Sequence, residues 1–165
     1  MVFDFHMDMD AASESKRGDS KIGTTKKGIG PAYAAKANRI GVRFGDLTSP
    51  NFDLDFVPKF RNLVQVSTAA CPELKVNVDK EIAYYRSIRD RVEPMSCETV
   101  SLVGDSLSAG RKVLVEGANA IMIDMDFGTY PYVTSSNPSI GGVCTGLGVP
   151  PNKIGNIWGT VKAVG

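Results

Sequence analysis

Apolar positions recur at helical spacing through the middle of the chain and cluster in two short runs, one at its start and one after residue 112. Over residues 53–67 they sit at Leu54, Val57, Phe60, Leu63 and Val64, which predicts a helix with Pro58 tolerated in its first turn. Residues 79–92 give a clearer amphipathic pattern, with Ile82, Tyr85, Ile88, Arg89 and Val92 on the i, i+3, i+4 rows. A third helix is expected over Glu98 to Ala109, stopped by Gly110. Two short runs, Val2 to Phe5 (VFDF) and Lys112 to Glu116 (KVLVE), read as strands. A polar helix is expected in Asp8 to Lys21, fraying toward Gly18. A short one is expected in Ala32 to Arg39, ended by Gly41, and a glycine-weakened one in Asn152 to Val164. The order predicts an α/β fold, with mostly parallel strands and flanking helices, over residues 1–165 as one unit.

Composition adds few constraints. The 165 residues suffice for one ordinary domain, and 42% hydrophobic with 22% charged residues is normal for a globular chain. A net charge of +1 gives no bulk reason to expect nucleic acid or an anionic membrane as partner. The sequence has no apolar run long enough to span a bilayer, and its first residues do not read as a signal peptide. Cys71, Cys97 and Cys144 are odd in number and lack CxxC spacing. Free thiols in a reducing, intracellular compartment and no zinc site are therefore expected.

Two remote stretches stand out by their glycines and hydroxyls: Ile22 to Arg43, and Val113 to Gly148. Gly23 to Gly30 (GTTKKGIG) approaches a nucleotide phosphate loop, but Ile29 and Gly30 stand where that loop needs Lys and a hydroxyl residue. Tyr33 likewise breaks the dinucleotide pattern. The segment remains suited to an anion through its backbone N–H groups, Thr24, Thr25, Lys26 and Lys27. It is equally suited to a solvated turn. Lys36 and Arg39 share a helix face, which serves either phosphate or solvent. Asp124 and Asp126 would project to one side of an extended segment, for metal or acid–base work or as caps of loop N–H groups. Thr134 to Asn137 can surround a phosphate or form an N-cap and turn. His6, the single histidine, has no assignable Ser, Cys or Asp partner and is read as structural.

The residues Gly28-Ile29-Gly30-Pro31-Ala32-Tyr33-Ala34-Ala35-Lys36-Ala37-Asn38-Arg39 resemble the G-I-G-P-x-Y-x-x-K-x-x-R signature of adenylosuccinate synthetases. VEGANA, DFGTYPYVTSSN and GGVCTGLG resemble further blocks of the eukaryotic form, in the same order and spacing. The resemblance implies part of a mostly parallel, P-loop-NTPase-like sheet, incomplete here, and the central part of a single synthetase domain. It implies a GTP-dependent carbon–nitrogen ligase that joins IMP and L-aspartate into adenylosuccinate, on the way to AMP, as a cytoplasmic homodimer. By the same resemblance Thr25 and Thr134 bind the IMP 5′-phosphate and Asn119 lies near the IMP base. Arg39 reaches the IMP of the neighbouring subunit, and Lys36 is the signature lysine with a supporting catalytic role. Magnesium and GTP are expected cofactors whose main ligands lie outside this chain, with no metal ligand within it. The family's GDEGKGK loop, its catalytic aspartate and its catalytic histidine have no counterparts here, and His6 does not replace the last. The expectation is therefore an internal portion, inactive alone. The alternative is a non-catalytic piece that dimerises with the full-length enzyme.

Overall fold

Phe52, Phe56 and Phe60 lie one turn apart on a nineteen-residue helix, and the core is built on that row. In the computed structural model, which describes residues 1–163, seven α-helices follow one another. They are α1 (Asp4–Lys16), α2 (Ile29–Ala37), α3 (Phe44–Leu47), α4 (Phe52–Ala70), α5 (Val78–Val92), α6 (Thr99–Ser108) and α7 (Ile140–Leu147).

The α/β expectation is overturned: there is no strand among the described residues. Val2 to Phe5, expected as a strand, instead opens α1. The helix starts after Phe3, whose C=O accepts from the His6 N–H at 2.9 Å while its own N–H donates to His6 Nδ1 at 3.1 Å. Four residues cannot separate a period of 2.0 from one of 3.6, and packing decides between them. Phe3 and Phe5 turn onto α4, with the Phe3 ring 5.0 Å from that of Phe60. Lys112 to Glu116 has the composition of a strand but pairs with none, and Leu114 is 93% exposed. A strand needs a neighbour to satisfy its backbone, and among the described residues none is in place.

The buried cluster joins Phe3, Phe5, Ala35, Val42, Leu47, Phe52, Phe56, Phe60, Leu63, Val64 and Ile82. α5 closes it with Ile82 and the half-buried Tyr85, whose ring meets Phe3 edge-on at 5.3 Å. Burial pushes the Tyr85 phenol up to about 12. Arg61–Asp79 (2.7 Å) and the two-pronged Arg86–Asp53 pair tie α4 to α5. Both are exposed, so they set direction more than stability. Pro58 falls in the second turn of α4, not the first. It deprives the Leu54 carbonyl of its ladder donor, on a face where Leu54 is exposed and water can replace the bond.

The remaining elements differ from the sequence expectation in several places: α1 begins and ends earlier than 8–21, α2 begins at Ile29 and stops short of Arg39, and α3 was not expected. Residues 140–147, read as part of the long loop, form α7 despite three glycines. Residues 152–163 do not form the expected helix. A 3-10 turn at Pro151–Lys153 is followed by irregular chain, and Val164 lies outside the described residues.

Candidate functional site

The glycine-rich loop at 23–28 is held from beneath by α1. Asp10 and Glu14 are four apart and so share one face of that helix. Glu14 Oε1 accepts the Gly23 N–H at 2.7 Å. Asp10 Oδ2 accepts both the Thr24 hydroxyl at 2.8 Å and the Gly28 N–H at 3.2 Å. Thr24 Oγ1 in turn accepts the Lys26 N–H at 3.1 Å. The loop's anion-seeking donors at Gly23, Thr24 and Gly28 are therefore already engaged by protein carboxylates. What remains outward is Thr25, exposed and without a hydrogen-bond partner among the described residues, followed by the exposed Lys26 and Lys27. The backbone bends sharply here, with Lys26 at φ +54°.

Gly28 is the N-cap of α2, at φ +71°. A Cβ on it would lie 2.8 Å from the His6 carbonyl carbon and Cβ and from the Met7 nitrogen. Only glycine allows this loop to lie against the first turn of α1. His6 is thereby fixed as part of the support, as read from the sequence. Its ring is 1% exposed between Phe3 and Phe5, and its Nδ1 is an acceptor. The neutral ring must then carry its proton on Nε2, which is buried without a partner among the described residues. Burial, helped by the N-terminal ammonium, lowers its pKa to about 4.

Lys36 and Arg39 stand at the other end of α2, both exposed, with the Lys36 ammonium 5.8 Å from the Tyr33 ring centre. Arg39 occupies the position just past the helix where glycine is usual. The Arg39 N–H bonds to Lys36 O at 3.1 Å, and the Ile40 N–H to Ala35 O at 3.0 Å. Arg39 adopts φ +62°, a conformation that costs a non-glycine residue about 1 kcal/mol or more. A half-open hollow of about 230 Å³ beside this end of α2 is lined by Lys36, Tyr33 and Arg43 among others.

The second stretch is a loop folded on itself. Met122 O accepts the Thr129 N–H at 3.0 Å, and Ile123 O accepts the Thr134 N–H at 2.8 Å. Asp124 is buried and caps this loop: its Oδ1 accepts from the N–H groups of Asp126 and Phe127 at 2.8 and 3.0 Å. Of the two readings open for Asp124, capping is the one the geometry realises. Beyond it a polar chain forms. Thr134 Oγ1 lies 3.4 Å from Ser136 Oγ, which donates to Asn119 Oδ1 at 3.3 Å. Thr134 and Asn119, fifteen residues apart, are thus joined through Ser136. Ser135 Oγ would lie 3.5 Å from a Cβ on Gly30, so this loop rests against the first turn of α2.

The structure therefore brings Thr134 and Asn119 together and sets their loop beside the start of α2. It leaves Lys36 and Arg39 at the far end, about 13 Å along the helix axis. Sequence reasoning missed Asp10 and Glu14; Ser136 it had only as one of the run Thr134 to Asn137, not as the link to Asn119. The i, i+4 spacing of the two carboxylates was a usable signal, but nothing local tied it to a loop nine to eighteen residues on. No three His, Cys, Asp or Glu side chains gather as a metal cluster among the described residues. His6 is sealed in, Asp10 and Glu14 face loop donors, and Asp124 caps its own turn. These residues do not fit a magnesium site. No helix among the described residues is long and apolar enough to cross a membrane.

Comparison with known proteins gives a single result. The adenylosuccinate synthetase family model matches residues 1–165. The adenylosuccinate synthetase of Trichoplax adhaerens is 53% identical over 164 residues, covering 99% of this chain and 37% of that protein. That of Phaeodactylum tricornutum is 52% identical over 163 residues, covering 99% of this chain and 30% of its own length. The fully ligated adenylosuccinate synthetase structure from Plasmodium falciparum superposes with a TM-score of 0.86 at 38% identity. It covers 93% of this chain and 36% of the other. The chain thus spans about a third of the length of these relatives. Its carboxylate-held GTTKKG loop, the signature helix after it and the Thr134–Ser136–Asn119 chain belong to an adenylosuccinate synthetase family member.

Proposed function

We propose that residues 1–165 are the central part of a single adenylosuccinate synthetase domain. In the full gene product they supply part of the IMP site and part of the contact between two subunits. The reaction joins IMP and L-aspartate at the expense of GTP, giving adenylosuccinate, GDP and phosphate in AMP biosynthesis, as a cytoplasmic homodimer. A purine 6-oxygen is a poor leaving group, and phosphorylation by GTP makes it a good one before the aspartate amine displaces it. Magnesium, for which these residues supply no site, would neutralise charge on the phosphates when bound elsewhere in the enzyme.

The residues here bind and orient. Thr25 offers an unengaged hydroxyl beside Lys26 and Lys27, and Thr134 offers one whose contact in the fold is Ser136 Oγ at 3.4 Å, as donors to the IMP 5′-phosphate. Asn119, steadied by Ser136, faces the base. Arg39 serves the IMP of the neighbouring subunit, and Lys36, the signature lysine, has a supporting catalytic role. The placement of Arg39 supports sharing: it follows the far end of α2 from the loop that carries Thr25, about 13 Å along the helix axis. The observation that carries the reading is the meeting of two remote glycine-rich stretches where Ser135 lies against Gly30.

Assaying adenylosuccinate formation from IMP, aspartate and GTP tests it. Turnover by the full gene product and none by the 165-residue chain is the expected pair of results. Steady product formation by the 165-residue chain, or a full product that ignores IMP, overturns it.

A further inference from the structure

We propose that Asp10, assisted by Glu14 one turn later, is a positioning residue that sets which hydroxyl of the GTTKKG loop is presented to the substrate phosphate. The proposal rests on the reading of Thr25 as an IMP ligand. Thr24 and Thr25 are neighbours of the same type, and from sequence either could face the phosphate. The structure separates them by what lies beneath. Asp10 Oδ2 takes the Thr24 hydroxyl and the Gly28 N–H with one oxygen atom, and Glu14, nine-tenths buried, takes the Gly23 N–H. Both ends of the loop and one threonine are thus tied down to α1. The chain between them is left with Lys26 at positive φ and Thr25 turned outward.

The two carboxylates repel a phosphate by their charge, which Lys26 and Lys27 offset, and their lone pairs need donors of their own. Here they are directed to backbone and hydroxyl donors on the inner side of the loop, while Lys26 and Lys27 lie on the outer side. Without Asp10, the Gly28 N–H at the start of α2 loses its acceptor and Thr24 becomes free to rotate out. The loop would then present either threonine, and the phosphate would meet an unsettled partner.

The test uses the full gene product carrying Asp10→Ala, Asp10→Asn and Thr24→Val. Asp10→Ala is expected to raise the KM for IMP about ten-fold, with kcat within about three-fold and the KM for GTP unchanged. Asp10→Asn keeps an oxygen that can accept both bonds, so it recovers most of the IMP affinity. An IMP KM within two-fold of wild type in Asp10→Ala, or an equal rise in the GTP KM, overturns the proposal. Should Asp10→Ala fail to fold, Thr24→Val carries the same test: it removes one bond to Asp10, and an unchanged IMP KM is again fatal. Amide exchange at Gly23 and Gly28 reads the tether without substrate. Exchange at Gly28 is expected to be at least about ten-fold faster in Asp10→Ala, and no change overturns the tether itself. A wild-type product that fails to bind IMP, with Gly28 exchange still responding to Asp10, overturns Thr25 as ligand and leaves the tether standing.

Discussion

Residues 1–92 and residues 99–163 differ in what holds them. The first part buries a continuous aromatic row, and its glycine-rich loop is pinned to a helix already anchored in that core. The second has no buried residue on α6 or α7, exposes Trp158 at 86% and keeps its shape through loop hydrogen bonds. Yet proposed ligands come from both. A polar site on an aromatic platform inherits the platform's rigidity. A site on a self-capped loop has only the loop's own bonds, and its order depends on what it meets.

The contrast can be broken most forcefully in the core. Phe56, fully buried against Phe52, Phe60 and Tyr85, is expected to cost about 3–5 kcal/mol on truncation to alanine. Phe127→Ala, at an exposed position in the second part, is expected within about 0.5 kcal/mol of wild type. Urea unfolding of both variants gives the comparison, and equal losses would refute it.

Acid should act on the first part through His6. Its folded pKa, about 4, lies below the ordinary 6.5, so the unfolded chain binds the proton more tightly. Stability is full above pH 6.5 and falls as pH drops from there to about 4, by about 3 kcal/mol in all. His6→Gln can still accept the Phe3 N–H and should flatten that slope. An unchanged slope would remove His6 from the account.

Glycines sharpen the comparison further. Gly28→Ala meets the α1 backbone at positive φ and should destabilise by about 1–3 kcal/mol. Gly104→Ala, mid-helix in α6 with open space around it, should stabilise by about 0.5–1 kcal/mol. Thermal melts of the two should move in opposite directions.

The smallest effect is the most telling about function. Arg39→Gly relieves positive φ and should stabilise the chain by up to about 1 kcal/mol. In the full gene product the same change should weaken IMP use sharply. A variant neutral on both counts would argue against the role assigned to Arg39.

Helices with several turns of period were legible: α5 and α6 follow their apolar rows, and Gly110 ends α6 at φ +69° as read. The sheet was not, because strand composition in Val113 to Val115 says nothing about whether a partner strand is in place. α7 was missed since Gly141, Gly142 and Gly146 looked like loop residues. At Gly142 a Cβ would lie 2.1 Å from Asn137 O, so that glycine permits a close approach within a helix. Thr134 and Asn119 were singled out as parts of long motifs, and the structure joins them through Ser136. Asp10 and Glu14 were not, because their partners lie nine to eighteen residues away and only the folded loop reveals them.

Lys112 to Glu116 carries a last consequence. Three consecutive aliphatic side chains on a backbone with no strand partner among the described residues offer a template along which identical segments can stack into a fibre. Arg111 and Lys112 on one side and Glu116 on the other set like charges at the edges of any in-register pile, and their mutual repulsion guards against it.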